Sequence, residues 1–277
     1  MNRIIVLLLF AVGYQLPVFG QGSLTPPGPP SPTMLTLSQI EPRIPISYTG
    51  FYIGSPGSYY LTTNLVGGSG MNGIWIASSD VTLDLNGFTL LGQSGSLAGI
   101  YIGAGSYANI TVKNGIISGW GGNGIDTYSS GGTPHDLVFE HLTVNANGND
   151  GISVVNGSTV SDCLVSDNYS IGIFVDGSGS RIVNNTLFNN NTGNSSSRAS
   201  IFIEGSNNRI EANHVTTSTA SGYGIYVFNT GTDLNNVIIK NSVVGLGIAD
   251  YSVPSGNDLG PVGTAATSTS PWANISH

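Results

Sequence analysis

The sequence predicts an all-β protein, a single-stranded parallel β-helix of about eight coils of about 25 residues with capped ends. Three observations predict it. A Gly-Ile pair recurs every 25 residues or so, apolar and polar residues alternate after each pair, and asparagine accounts for 27 of the 277 residues. Charged residues make up 8% of the chain, which excludes a helical protein stabilised by many surface salt bridges.

The first strand of each coil follows the Gly-Ile pair. The pairs are Gly73-Ile74, Gly99-Ile100, Gly124-Ile125, Gly151-Ile152, Gly172-Ile173 and Gly224-Ile225, and Ser200-Ile201 fills the one gap. Two residues after each Ile stand Ile76, Ile102, Thr127, Val154, Val175, Ile203 and Val227. Alternate residues of a strand share a face, so these residues should form one inward wall.

Two further strands complete each coil. The second should open at Val81, Ile110, Leu137, Val160, Ile182, Ile210 and Val237. The third should open at Phe88, Ile116, Leu142, Leu164, Leu187, Val215 and Val243. Two positions before the third strand stand Asn86, Asn114, Glu140, Asp162, Asn185, Asn213 and Asn241. A carboxamide both donates and accepts, so stacked Asn side chains can hydrogen-bond from coil to coil.

Three segments carry a resemblance to a known fold. Residues 56–62 (PGSYYLT), 81–90 (VTLDLNGFTL) and 110–115 (ITVKNG) resemble exported bacterial right-handed β-helix proteins of the pectate-lyase-like superfold. The resemblance covers roughly residues 50–250 and implies right-handed winding. It is weak for activity, because that superfold hosts lyases, hydrolases, epimerases, phage spikes, adhesins and non-catalytic proteins.

The ends of the chain are expected to differ from the repeat. Residues 1–20 are predicted to be a signal peptide, since a basic start precedes an apolar run too short to span a bilayer. Residues 21–47 are a Pro-rich leader and N-terminal cap, 48–250 the β-helix and 251–277 a capping tail. No later apolar stretch is long enough to cross a membrane, so we expect secretion or attachment to the cell surface.

The outward face of the first strand is the candidate binding surface. Its positions are Trp75, Tyr101, Asp126, Ser153, Phe174, Phe202 and Tyr226. Aromatic faces suit sugar rings, and the enzymes of the superfold use this same sheet as a sugar groove. The alternative is that a loop, a tail or another subunit covers these rings. Cover by another copy of the chain would make the protein a homo-oligomer.

Two carboxylates, Asp176 and Glu204, occupy equivalent places on successive coils. Their expected separation of about 5 Å suits a Ca²⁺ site or a retaining glycosidase. Each is followed five residues later by an arginine, Arg181 or Arg209, so a turn held by ion pairs and side-chain-to-backbone hydrogen bonds is the alternative. The sequence indicates no cofactor with certainty, and calcium is the one candidate.

Titratable residues gather on the third coil and the corner after it. Asp126, Tyr128 and Asp150 are the first candidates for catalysis, and His135 is a candidate proton carrier. The alternative is a set of hydrated surface residues. The polygalacturonase signatures Asn-x-Asp, Gly-His-Gly and Arg-x-Lys are absent, and no basic residue stands on the outward face of the first strand.

Composition narrows the function further. With 7 basic and 15 acidic residues a nucleic-acid backbone is an unsuitable partner, and one Cys excludes an internal disulfide framework. We expect a protein that binds extracellular polysaccharide along its first sheet. The open alternatives are a polysaccharide lyase or glycoside hydrolase with its site on coils three and four, and a structural surface or assembly protein.

Overall fold

The computed structural model describes residues 41–103, 105–127, 132–217, 220–228, 231–245 and 247–277. The predicted signal peptide and most of the leader therefore lie outside the described residues. The strands belong to one compact unit, residues 43–277, in which every strand pairing is parallel. The predicted right-handed parallel β-helix is confirmed. None of the described residues forms a helix with the length and hydropathy needed to cross a membrane.

Sheet 1 is a ladder of nine strands, one from each coil. Its strands are Phe51–Ile53, Ile74–Ile76, Ile100–Ile102, Ile125–Asp126, Ile152–Val154, Ile173–Asp176, Ala199–Glu204, Tyr223–Val227 and Ala249–Ser252. Successive strands pair in register, so that each residue lies over its equivalent in the coil before.

Sheets 2 and 3 form the other two faces and are joined by two long strands, Ala108–Ser118 and His135–Asn145, which bend from one face to the other. The remaining strands of sheet 2 are Ile44–Ile46, Gly57–Leu61, Val81–Asp84, Thr159–Ser161, Arg181–Val183, Arg209–Glu211, Val237–Ile239 and Asp258–Leu259. Those of sheet 3 are Leu65–Val66, Thr89–Leu91, Leu164–Ser166, Thr186–Phe188, His214–Thr217, Ser242–Gly245, Val262–Gly263 and Asn274–Ser276.

The core is the column of inward side chains predicted for sheet 1, together with its counterparts on the other faces. Ile74, Ile100 and Ile125 are fully buried, and so is Thr127, the one polar residue of the wall. The Thr127 hydroxyl donates to the Ser153 carbonyl of the next coil at 2.9 Å. The core therefore tolerates this polar side chain because a backbone acceptor lies within reach.

An asparagine ladder runs along the corner between sheets 2 and 3, as predicted for Asn185, Asn213 and Asn241. Each Nδ2 donates to the Oδ1 of the next ladder residue, at 3.0 Å from Asn185 to Asn213 and from Asn213 to Asn241. The ladder continues to Asn274 at 3.1 Å, so the C-terminal segment extends the stack.

Two shorter ladders occupy the other corners and escaped the sequence analysis. Asn147, Asn168 and Asn190 are linked between sheets 3 and 1, at 2.9 and 2.8 Å. Between sheets 1 and 2, the Asn208 backbone N–H donates to Asn236 Oδ1 at 2.9 Å, and Asn236 Nδ2 donates to Asn257 Oδ1 at 2.8 Å. All three corners are thus held by buried amides along part of the stack.

Part of the predicted strand register is wrong by one residue. Ile116, Leu164 and Val237 face outward, and their neighbours Ile117, Val165 and Ile238 are the fully buried residues. Asn86, Asn114 and Asp162 are likewise not ladder residues, because each adopts a left-handed backbone conformation (φ of 53°, 59° and 55°) one step before the ladder position. Asn and Asp adopt the left-handed conformation more readily than most residues. These corner positions therefore have the same residue types as the ladder, and the sequence pattern does not distinguish them.

Cys163 takes the ladder position in the coil before Asn185. Its backbone N–H donates to Asn185 Oδ1 at 3.0 Å, and burial raises the pKa of its thiol to about 12. A buried thiol of this kind stays protonated and unreactive, so Cys163 acts as a small structural residue of this corner.

Candidate functional site

The outward face of sheet 1 begins with an exposed row of aromatic rings. Tyr52, Trp75 and Tyr101 lie in register on three successive coils. Their ring centroids are 5.4 and 5.6 Å apart, with the rings edge to face. Tyr52 is 58% exposed and Trp75 38%. We call these three residues the aromatic row.

A second aromatic group lies farther along the same face. Phe174, Phe202 and Tyr226 are in register, and Phe202 is only 6% exposed because Ile171 and Ala199 pack against it. Tyr223 stacks on Tyr226 with centroids 4.5 Å apart. These rings largely cover one another, so their burial needs no partner subunit.

A groove separates the two aromatic groups at the positions where the sequence has Asp126 and Ser153. Two adjoining cavities of about 350 and 320 Å³ share Asn123, Asp126 and Asn149 in their walls. The first reaches back to Tyr101, and the second reaches forward to Phe174 and includes Asp150 and Ser153. We call this the central groove.

Asp150 is positioned in the corner that leads into sheet 1. Its Oδ1 accepts the Ile171 N–H at 2.9 Å, and its own N–H donates to Asn123 Oδ1 at 3.1 Å. The same Asn123 oxygen accepts from Asn149 Nδ2 at 2.8 Å. Burial raises the pKa of Asp150, against the opposing effects of the Ile171 N–H and the Arg198 charge.

Ser153 forms part of the floor of the central groove. It is 1% exposed although it points outward, and its Oγ has no hydrogen-bond partner among the described residues. A buried hydroxyl without a partner is uncommon in folded proteins. The serine therefore offers a bound molecule both a donor and an acceptor.

The structure thus brings Asp126 and Asp150 together and leaves His135 elsewhere. His135 begins a strand of sheet 2, where its Nδ1 lies 2.9 Å from Asp136 Oδ2, and it does not line the groove. Tyr128 lies outside the described residues. Asn123 and Asn149 were missed by the sequence analysis, although Asn149 belongs to the Asn-Gly-Asn-Asp corner that drew attention to Asp150.

Asp176 and Glu204 lie in register, as predicted. Burial raises the pKa of Asp176, and burial together with the charges of Asp176 and Asp233 raises that of Glu204. The predicted ion pair to arginine is wrong for Glu204, because Arg209 Nε instead binds Glu211 Oε2 at 2.7 Å. Side-chain-to-backbone bonds do hold these corners, since Ser206 N–H donates to Ser178 Oγ at 3.1 Å. No ion pair joins Arg181 to Asp176 among the described residues.

Calcium binding at this carboxylate pair stays a prediction from the sequence. Within the described ranges, no group of three His, Cys, Asp or Glu residues is arranged to hold a metal ion.

A separate cavity of about 450 Å³ opens on sheet 2, beside Trp272 and Arg209. Its one basic lining residue, Arg209, is already engaged by a carboxylate beside the cavity. Glu211 accepts from Arg209 at 2.7 Å and from Lys240 at 2.9 Å, and the Lys240 ammonium lies 4.7 Å from the centre of the Trp272 ring. The central groove, with its unpartnered hydroxyl and its adjoining aromatic row, is therefore the better candidate site.

The raised pKa of Asp176 leads to a prediction for pH dependence. A carboxyl whose pKa is raised by folding holds its proton more tightly in the folded chain than in the unfolded chain. Its ionised form therefore destabilises the fold, and stability falls as pH rises through the raised pKa. Asp176→Asn should therefore raise Tm at pH 7, and the advantage should vanish near pH 3, where the wild-type carboxyl is protonated in both states. Thermal unfolding followed by circular dichroism at the two pH values checks this.

Glu211→Gln is the control of opposite sign. Its hydrogen bonds to Arg209 and Lys240 lower the pKa of Glu211 from 4.5 to about 2, so it stabilises the fold above pH 4.5 and this contribution is lost as pH falls toward 2. Glu211→Gln should lower Tm at pH 7. A lower Tm for Asp176→Asn at pH 7 would contradict the assignment.

Comparison with known proteins identifies the architecture. A family model described as "Right handed beta helix region" matches residues 43–187 and, in an overlapping match, residues 98–258. No curated protein matches the chain in sequence.

Several solved structures are similar in fold. The enzymatically active domain of bacteriophage CBA120 tailspike protein 2 is 16% identical with a TM-score of 0.46, and the match covers 72% of this chain and 39% of that one. The Dettilon tailspike protein is 13% identical with a TM-score of 0.44, covering 84% and 60%. A double mutant of the periplasmic alginate epimerase AlgG is 14% identical with a TM-score of 0.42, covering 82% and 70%. This chain therefore spans less than two thirds of either tailspike.

Proposed function

Since the chain belongs to the right-handed β-helix family, we propose that it is a secreted or surface-associated protein that binds extracellular polysaccharide along sheet 1. One observation carries the proposal. The exposed aromatic row leads, coil by coil, into a groove walled by two amides and two carboxyls. Export rests on the signal peptide predicted at residues 1–20.

The chemistry of the site suits a chain of sugar units. The C–H faces of sugar rings pack on aromatic side chains, while their hydroxyls need donors and acceptors at defined positions. Trp75 and Tyr101 supply the apolar surface. Asn123, Asp126 and Ser153 supply the polar groups one and two coils farther on. A glycan lying along the stack would contact both parts at once.

Catalysis is the second candidate function, and one observation favours it. Asp150 is a buried carboxyl whose pKa is raised, which suits a general acid, and it shares a cavity with a second carboxyl, Asp126. In a glycosidase, Asp150 would protonate the leaving oxygen while Asp126 acts as base or nucleophile. Release of reducing or unsaturated ends from bound glycan, abolished in Asp150→Asn, would distinguish an enzyme from a binding protein.

A structural assembly protein is the remaining alternative. In that case the aromatic row would be buried between subunits and the solution mass would exceed that of the monomer. Light scattering separates this case from glycan binding by a monomer.

The test of the proposal is the loss of the largest ring in the aromatic row. Trp75→Ala should weaken binding of a glycan identified on an array by about 1.5–3 kcal/mol, the value of one buried large side chain, which is at least about tenfold in Kd. Titration calorimetry measures this. The fold should be unaffected, because Trp75 is 38% exposed.

Trp272→Ala is the matched control, because it removes a tryptophan of similar exposure from the sheet 2 side. It should leave Kd unchanged. Equal losses in the two variants, or a loss in Trp272→Ala alone, would refute binding along sheet 1.

A further inference from the structure

The basic residues of this protein are concentrated on one face, whereas carboxylates occur on more than one. Of the seven Lys and Arg residues, Arg43, Lys113, Arg181, Arg209 and Lys240 lie on strands of sheet 2 or next to them. Several have carboxylate partners there, such as Glu211 for Arg209 and Lys240, and Asp84 for Arg43. Sheet 2 therefore holds most of the positive charge of a chain whose net charge is −8.

The strands of sheet 1 carry carboxylates and no Lys or Arg. Asp126 and Asp150 line the central groove, and Asp176 and Glu204 end the next two strands of the sheet. Arg198 is the one basic residue close enough to affect Asp150, and its exposed side chain does not line either cavity. Among the residues that line the groove, every ionisable side chain other than Tyr101 is a carboxyl.

We propose that the central groove accepts uncharged sugar units and excludes uronic acids, so that this protein binds a neutral glycan. The inference rests on the proposed function, since it names the substrate class of the same groove.

Hydrogen-bond chemistry leads to the same class. A sugar hydroxyl can donate to the carboxylate of Asp126 and accept from the amide of Asn149 or the unpartnered hydroxyl of Ser153. A uronate carboxylate has only acceptor oxygens, so it has no proton to donate to Asp126. It would also lie in a groove whose described lining holds two carboxyls and no basic side chain, and like-charge juxtaposition strongly disfavours a wrong partner.

The experiment compares neutral and anionic glycans on the full chain at pH 7. The neutral probes are xylan, β-glucan, galactomannan and N-acetylated chito-oligosaccharides, and the anionic probes are oligogalacturonate and alginate oligosaccharides. We expect at least one neutral probe to bind at least about tenfold more tightly than either uronate. Raising the salt from about 0.05 to about 0.5 M should strengthen uronate binding by screening the repulsion and should leave the neutral Kd unchanged.

A charge variant with a matched control tests the cause. Asp126→Asn should reduce the ratio of neutral to uronate affinity several-fold, because it removes one groove charge. Asp162→Asn makes the same change at an exposed left-handed position between sheets 2 and 3, and it should leave the ratio unchanged.

The outcomes separate the two claims. A uronate that binds as tightly as the best neutral probe, or whose binding weakens with salt, overturns the selectivity while polysaccharide binding stands. A ratio that Asp126→Asn does not alter also overturns it. Binding of no probe in either class overturns the proposed function and this inference with it.

Discussion

Asn185→Asp is expected to lower the free energy of unfolding by about 3–5 kcal/mol, the usual cost of an uncompensated buried charge. The Asn185 Nδ2 donates to the Val160 carbonyl at 2.9 Å and to Asn213 Oδ1 at 3.0 Å. Asn185 itself is 1% exposed. An aspartate of the same shape would place a negative oxygen against both acceptors.

Urea unfolding at pH 7 measures this loss as a lower midpoint. The deficit should shrink as pH falls, because protonation of the new carboxyl restores one donor. Asn184→Asp is the control, since the adjacent residue is exposed and its left-handed φ of 57° suits Asp as well as Asn. Equal midpoints for the two variants would show that the ladder contributes little.

Gly151→Val is expected to cost about 3 kcal/mol or more, because it overfills a closed corner. A Cβ at Gly151 would lie 2.6 Å from the Gly172 carbonyl oxygen of the next coil, 2.7 Å from Val165 Cγ1 and 2.8 Å from Asn168 Nδ2. The backbone oxygen cannot move without displacing the coil to which it belongs, so a small local shift cannot relieve the steric clash.

Gly68→Val is the matched control for this effect. A Cβ there would meet only the flexible Met71 side chain, at 3.4 Å, so we expect a change within about 1 kcal/mol. Thermal and urea unfolding of both variants give the comparison. A Gly151 variant as stable as the Gly68 variant would mean that the coils can separate at this corner without cost.

The same contacts explain why the repeat could be predicted from the sequence. At Gly73, Gly99, Gly124, Gly151 and Gly172 an added Cβ would meet the carbonyl oxygen of the next coil at 2.5 to 2.7 Å. Close stacking of coils therefore favours glycine at one place in most turns, followed by an inward Ile, and Ser200 takes that place in one coil. A constraint repeated in most coils leaves a period in the sequence, and that period indicated the fold.

Features that depend on local corner geometry were harder to predict. Asn114 and Asn185 look alike in the sequence, but Asn114 lies one step earlier at a left-handed corner, and only Asn185 joins the ladder. Asn274 follows Asn241 in the ladder although it lies 33 residues later in the sequence. The segment between them is longer than an ordinary coil. A variable corner length shifts the register, and the sequence shows no period across it.

The candidate site was predicted in part. The outward aromatic residues and the polar gap at Asp126 and Ser153 follow from strand alternation alone. The groove itself does not, because Asn123 and Asn149 come from corners, whose side-chain directions no strand period determines. The position of His135 is also decided by a corner. The corner before it leads into sheet 2, where His135 contacts Asp136 and does not line the groove.

A crystal structure of the protein with its tightest-binding oligosaccharide tests the central claim most directly. We predict sugar rings packed on Trp75 and Tyr101, with the chain continuing past Asp126 toward Phe174. An oligosaccharide bound in the sheet 2 cavity beside Trp272, with the aromatic row left empty, would contradict the assignment of sheet 1 as the binding surface.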